Sequence, residues 1–262
     1  MCLILLGWQA HPDFPLVVAA NRDEFHARAT APADFWPQDP RLLAGRDLVA
    51  GGTWMGITRT GRFAALTNYR DPAQMRPDAP SRGALVSHFL QGTATPLAYL
   101  QALAPQGKDY NGFNLLVGDG ETLCWYSNIS GEVQTLAPGV YGVSNELLDT
   151  PWPKVEAAKS DLSRALHALP NDTALFQLLR DDRIYPDDAL PRTGVSLELE
   201  RMLSAAFIRN ERYGTRSSTV LLRDRQGRVS YDEQTWQADA SAGQRRRFTF
   251  ALPTTRGNRR TP

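Results

Sequence analysis

The sequence is poor in the residues that build metal sites and disulfide frameworks. Its 262 residues include two cysteines, Cys2 and Cys124, and four scattered histidines, His11, His26, His88 and His167. Two cysteines in a chain this long do not make a disulfide framework. Neither a His-x-x-x-His nor a Cys-x-x-Cys pair occurs, so no metal site is built from ligands close in sequence. The glycine-rich signatures of Rossmann and P-loop nucleotide sites are missing as well. Charge of either sign is not in excess: 29 basic and 28 acidic residues leave a net +1. That balance offers no broad attraction to nucleic acid or to an anionic membrane. No apolar run approaches the ~18 residues of a membrane helix. The opening MCLILLGWQAHPDF lacks the basic segment and small-residue cleavage site of a secretory signal. A cytoplasmic chain with no integral membrane segment and no nucleic-acid partner is the expectation.

Ordinary globular material fills the chain. At this length a folded chain buries roughly three quarters of its unfolded surface, which suits one large domain. We place that domain at residues 1–252, followed by a basic tail at 253–262. Arg245, Arg246, Arg247, Arg256, Arg259 and Arg260 cluster near this end, and the cluster reads as a solvated, frayed terminus.

Leu3–Gly7 and Leu16–Ala20 read as strands around the turn HPDFP, where Pro12, Asp13 and Pro15 break regular structure. Residues 25–43 are rich in Pro and Ala without periodicity and read as an ordered loop. Thr53–Thr58 and Arg62–Thr67 form a hairpin about Thr60–Gly61. Helices are expected from Ser81, with Leu85, Phe89 and Leu90 on one side, and over Pro96–Leu103. Strands follow at Phe113–Val117, Leu123–Tyr126, Val133–Leu136 and Tyr141–Val143. Helices follow at Pro153–Leu169 and Asp172–Arg180, and strands at Thr219–Leu222, Val229–Asp232 and Arg247–Leu252. Strands and helices come in blocks, which argues against a doubly wound parallel sheet. The fold class is α+β, and two antiparallel sheets between helix pairs fit this order.

Chemistry can be read at five places. Cys2 follows Met1, and cells remove an initiator Met before a small residue. The exposed α-amine has a reference pKa of about 7.7–8, and the thiol on the same residue about 8.5. One residue then supplies nucleophile and base; alternatively, position 2 merely tolerates a small residue. Asn21, Arg22, Asp23 and Glu24 follow the second strand, which the hairpin returns to the chain start. There Asp23 can hold the amine and Arg22 the thiolate, or the four form a polar strand end. Asn68 and Asn145 stand at strand ends, as oxyanion donors or as turn caps. Arg216 enters a late strand as an anion clamp or an exposed charge. Trp36, Trp54 and Trp152 are core residues or contacts for another molecule.

The blocks MCLI, AANRDEF, GGTWMGI, ALTNYRDP, YNGFNLLVGD, YGVSNELLDTPWPKV and YGTRSSTVLL, over residues 1 to about 223, resemble in order those of the NRDE family. Its eukaryotic members are called transport and Golgi organisation proteins. That family is similar in turn to cysteine N-terminal-nucleophile (Ntn) hydrolases of the penicillin acylase and bile-salt hydrolase type. The resemblance implies a four-layer αββα sandwich and hydrolysis of a linear amide C–N or thioester bond. It implies Cys2 as nucleophile, Asp23 as amine holder, Asn68 and Asn145 in the oxyanion region, and Arg216 as the late active-site arginine. We assign Asn21, Arg22 and Trp54 to the substrate-binding wall. Where those hydrolases place Arg before the Asn, this chain has Ala20, and Arg22 is expected to replace it only if the chain bends there. No cofactor is required and no metal is expected. The eukaryotic relatives imply an alternative, a non-catalytic carrier of haem or of a lipid or acyl-CoA in the same cleft. A haem ligand would be Cys2 or one of the four histidines. The partner in either case is a small molecule.

Overall fold

Leu3, Ile4, Leu5 and Leu6 are all fully buried, which requires a strand covered on both faces. The computed structural model, which describes residues 2–253, supplies both covers. Strand β1 (Cys2–Trp8) pairs with β2 (Leu16–Phe25) on one side. Its other neighbour is β10 (Gly139–Val143). Beyond β2 come β11 (Tyr213–Arg223), β12 (Arg228–Trp236) and β13 (Ala242–Ala251), giving a six-stranded sheet in the order β10-β1-β2-β11-β12-β13.

The second sheet has seven strands in sequence order. They are β3 (Thr30–Trp36), β4 (Asp39–Asp47), β5 (Met55–Thr58), β6 (Phe63–Asn68), β7 (Phe113–Gly118), β8 (Leu123–Ser127) and β9 (Val133–Thr135). Every strand pair in both sheets is antiparallel.

Three apolar clusters define four layers. Ile4, Leu6 and Val18 of the first sheet meet Leu43, Ile57, Ala65 and Leu116 of the second between the sheets. Leu3, Leu5, Val17 and Ala19, on the opposite face of the same strands, pack on helices α3 (Pro153–Leu166) and α4 (Thr173–Leu178). Ala64, Leu66, Leu115 and Val117 pack on α1 (Gly83–Gln91) and α2 (Pro96–Leu103). Alternation of side chains along a strand sorts the residues into these layers. The order is helices, sheet, sheet, helices, as the blocks of strands and helices require. A short fifth helix, α5 (Leu197–Leu203), precedes β11.

Three expectations are corrected. Residues 25–43 hold the end of β2, all of β3 and the first part of β4. Pro32 and Pro40 hide these strands because proline cannot donate to a ladder. β3 is an edge strand, where that loss is tolerated, and its pairing with β4 is irregular. β2 also continues five residues past Ala20, carrying Asn21 to Phe25 inside the sheet. Arg245, Arg246 and Arg247 belong to β13 rather than to a frayed tail. Arg245 and Arg247 both pair with Asp232, and Arg246 with Asp34. Residues 254–262, with Arg256, Arg259 and Arg260, lie outside the described residues, as does Met1.

Candidate active site

The register of the six-stranded sheet aligns four side chains in one row on its inner face. Cys2 faces Arg22, Arg22 faces Ser217, and Ser217 faces Thr235. All four line a cleft of about 810 Å³ between the ends of the two sheets. Asp23, Glu24, Trp54, Asn68, Arg82, Arg216 and Glu233 also line it. Arg22 needs no bend to reach this row. Residues two apart on a strand share a face, so Arg22 lies on the side of Ala20 and directly across from Cys2. The condition placed on Arg22 from the sequence is therefore corrected. Its guanidinium lies 3.6 Å from Glu24, and its buried Nη1 has no hydrogen-bond partner among the described residues.

Asp23 lies one residue on, so its side chain takes the opposite, helix-facing side of the strand. There Thr215 donates to Asp23 Oδ1 at 2.7 Å and Tyr213 donates to the Asp23 backbone oxygen at 3.0 Å. Thiol and carboxylate thus approach the start of β1 from the two faces of one sheet. Burial pushes the Cys2 thiol above its ordinary range, with Arg22 opposing the shift. Burial also raises Asp23 to about 6.

Asn21 is fully buried on the helix side, away from the cleft lining. It donates to the Leu179 and Ala206 carbonyls and accepts from Ser218. It ties β2 to the helical layer rather than forming the substrate wall. Asn145 is fully buried as well and is not in the lining. Its Nδ2 donates to the Asn68 carbonyl at 2.8 Å, and its Oδ1 accepts from Ser144 at 3.2 Å. The same Ser144 hydroxyl lies 3.0 Å from the Cys2 carbonyl, so its one proton is shared between the two acceptors. Asn145 therefore joins Cys2 to Asn68 by holding backbone, while Asn68 itself stands at the end of β6 in the cleft.

Arg216 is the extra residue of a bulge, where β11 shifts register against β2 between Thr215 and Ser217. A bulge re-aims the side chain it releases. Nη1 of Arg216 lies within 3.0–3.2 Å of the carbonyls of Phe25, His26 and Arg28. Arg216 lines the cleft and fastens the turn after β2. Trp54 is placed by the loop before β5. A Cβ on Gly52 would lie 2.5 Å from the Gly83 carbonyl carbon, so only glycine lets this loop press against the start of α1. Arg82 stands at that start and donates to the Gly112 carbonyl.

Sequence reasoning missed Ser144, Ser217 and Glu233. Glu233 is almost fully buried and accepts from the Ala33 amide at 2.7 Å, linking the two sheets beside the cleft. None of the four histidines lines the cleft. Among the described residues no cluster of His, Cys, Asp or Glu is arranged to hold a metal ion. Cys124 is a separate buried thiol near Thr135, in the other sheet.

The model of the Transport and Golgi organisation 2 family matches residues 1–238. The chain belongs to this family. A mouse Transport and Golgi organization 2 homolog is 38% identical over 96% of this chain and 99% of its own. The human homolog is likewise 38% identical, over 96% and 99%. The Drosophila melanogaster protein is 28% identical over 90% and 92%. Among solved structures, the chain is similar to a Caenorhabditis elegans N-acylethanolamine-hydrolyzing acid amidase ortholog. The TM-score is 0.48 at 10% identity, over 84% of this chain and 92% of that one. It is also similar to a Clostridium perfringens conjugated bile acid hydrolase mutant, with a TM-score of 0.44 at 10% identity over 96% and 92%. Among the described residues of this family member no helix is long and apolar enough to cross a membrane.

Proposed function

We propose that the chain, once Met1 is removed, is an Ntn-type cysteine hydrolase acting on a linear amide or thioester bond. The observation that carries this reading is the opposed placement at the start of β1. The Cys2 thiol faces the cleft across from Arg22, and the Asp23 carboxylate stands on the other face of the same sheet. In this mechanism the Cys2 α-amine takes the thiol proton as Sγ attacks the substrate carbonyl carbon, with Asp23 orienting the amine. Asn68 donates to the oxyanion. The leaving nitrogen or sulfur takes the proton back from the α-ammonium as its bond to carbon breaks. Water then attacks the acyl thioester and regenerates the thiol. A thiol raised by burial needs such a base close by, because only the thiolate is nucleophilic.

The experiment is intact mass of the chain from its native host, before and after a thiol-reactive acylating probe. A mass lacking Met1 with one adduct mapped to Cys2 supports the reading. Retained Met1, an adduct on Cys124 alone, or equal turnover by Cys2→Ala overturns it.

The same burial of the thiol favours a second reading, a carrier that holds an acyl-CoA, another lipid or haem in the cleft without turnover. With no histidine in the lining, Cys2 is the only thiol or imidazole there to ligate haem iron. Equal binding of acyl-CoA by wild type and Cys2→Ala, with hydrolysis by neither, selects this reading. A haemin spectrum that changes with wild type and not with Cys2→Ala selects its haem form.

A further inference from the structure

Lys154 lies in the first turn of α3 and is 3% exposed. A lysine buried so deeply is retained against a desolvation cost. Its ammonium has three N–H groups and donates to the Leu203 carbonyl, at 2.8 Å, at the end of α5. Around it the outer face of the six-stranded sheet collects charge. Arg70 and Glu200, both almost fully buried, pair at 2.7 Å, and the Arg70 guanidinium lies 4.8 Å over Trp152. Lys154, Arg70 and Glu200 share a cavity of about 10 Å³, room for one water. The ammonium is attracted by Asp23, Cys2 and Glu200 and repelled by Arg70.

From β11, Thr215 and Tyr213 reach Asp23 with neutral hydroxyls. Burial, then Asp23, Cys2 and Glu24, hold the Tyr213 phenol far above its ordinary range. On the cleft side, Arg22 acts on both Asp23 and Cys2, and Arg82 also acts on Cys2. On the helix-facing side two cations, Lys154 and Arg70, and two carboxylates, Asp23 and Glu200, thus sit under one strand end. Apolar side chains of similar size would stabilise such a place at least as well.

We propose that Lys154 is a positioning residue for the chemistry at Cys2. Its fixed ammonium keeps Asp23 ionised and lowers the proton affinity of the Cys2 thiol and amine, so that the amine stays free to act as base near neutrality. This rests on the reading of Cys2 as nucleophile. The sign is the same for all three groups, because a nearby positive charge favours carboxylate, thiolate and neutral amine alike. Lys154 is itself lowered to about 8, first by burial and then by Arg70. Its influence therefore fades above that pH.

The test is the rate of Cys2 alkylation by iodoacetamide, on chain shown by intact mass to lack Met1. It is followed from about pH 5 to about pH 10, bracketing the reference values of the amine and thiol. Lys154→Met is expected to raise the midpoint by about one pH unit, a roughly tenfold loss of rate near neutrality. The Lys154→Met and wild-type rates are expected to converge above about pH 9, where wild-type Lys154 has lost its charge. Lys154→Arg is expected to keep the wild-type midpoint. Lys154→Gln, which retains a donor for the Leu203 carbonyl, serves if the methionine variant does not fold. An unshifted midpoint in folded Lys154→Met or Lys154→Gln, or an arginine variant that behaves like methionine, overturns the inference and leaves Cys2 as nucleophile. No alkylation of wild-type Cys2 at any pH overturns the nucleophile itself, and the role of Lys154 with it.

Discussion

Strands β1 and β2 are apolar at one end of their pairing and polar at the other, and both ends are buried. From Ile4 to Trp8 and from Leu16 to Ala20 every side chain is carbon-rich except Gly7, and none is more than 3% exposed where hydrophobic. At the other end Cys2 meets Asn21, Arg22 and Asp23, none more than 8% exposed. The apolar end is held by packing on both faces. The polar end replaces packing with specific partners: two carbonyls for Asn21, Thr215 for Asp23 and Glu24 for Arg22. Burying polar groups costs free energy unless each finds a partner. One hairpin therefore separates stability at its turn from chemistry at its open end.

The sharpest way to break that comparison is at the apolar end. Leu5 is fully buried against the helices, and Leu5→Ala is expected to cost about 2–5 kcal/mol, read by denaturant unfolding. Cys2→Ala, three residues away, is expected to change stability by only about 1 kcal/mol while abolishing labelling. Equal costs at the two positions would dissolve the contrast.

Asn145→Ala tests the backbone clamp beside the polar end. It strips the Asn68 carbonyl of its side-chain donor, while Ser144 keeps the Cys2 carbonyl as its acceptor, and an unsatisfied buried group costs about 1–3 kcal/mol. A loss of about 2 kcal/mol is expected, together with slower labelling of Cys2, because Asn68 loses its tie and Ser144, which holds the Cys2 carbonyl, loses its neighbour Asn145 Oδ1. Loss of stability with unchanged labelling would make Asn145 a purely structural cap.

Asp23→Asn is expected to move stability the other way. With its pKa raised to about 6, protonated Asp23 favours the fold fully below its unfolded value, and that contribution is lost as pH rises towards about 6. Asparagine mimics the protonated form and still accepts from Thr215. The variant is therefore expected to be about 1–2 kcal/mol more stable than wild type at pH 7 and equal to it near pH 4. Melting curves at the two pH values check this, and a variant less stable at both would show that the charge is favourable where it sits.

How far the sequence disclosed this arrangement depends on the range of each interaction. The hairpin that brings Asp23 back to Cys2 is local, and the turn HPDFP announces it. The alternation of blocks conveys the four layers. By contrast, β3 and β4 are masked by Pro32 and Pro40. Asn145 stands at a strand end as expected, but its partners Asn68 and Ser144 are set by the sheet edge, not by spacing. Arg245 and Arg247 look like a solvated run until Asp232, thirteen and fifteen residues back, is paired across the strand. Lys154 is hidden for the same reason, since a lysine in a helical pattern reads as surface unless the neighbouring α5 is known to cover it.

The smallest effect is expected where polar end and cleft rim meet. Arg216 is half-buried, and burial lowers its guanidinium below the ordinary value. It holds three carbonyls of the turn from Phe25 to Arg28 rather than a charge. Its carbonyls face a partly wet rim, so water replaces part of what Arg216→Ala removes, and the cost is expected to be about 1 kcal/mol or less. The change should be local. The His26 amide, bonded to Arg212, and the Arg28 amide, bonded to Phe25, are expected to exchange hydrogen about fivefold faster in the variant. The amides of Leu3 to Leu6 should be unaffected. If exchange instead rises across β2, the bulge at Arg216 supports the whole polar end, and the boundary between packing and chemistry lies further into the sheet than Asn21.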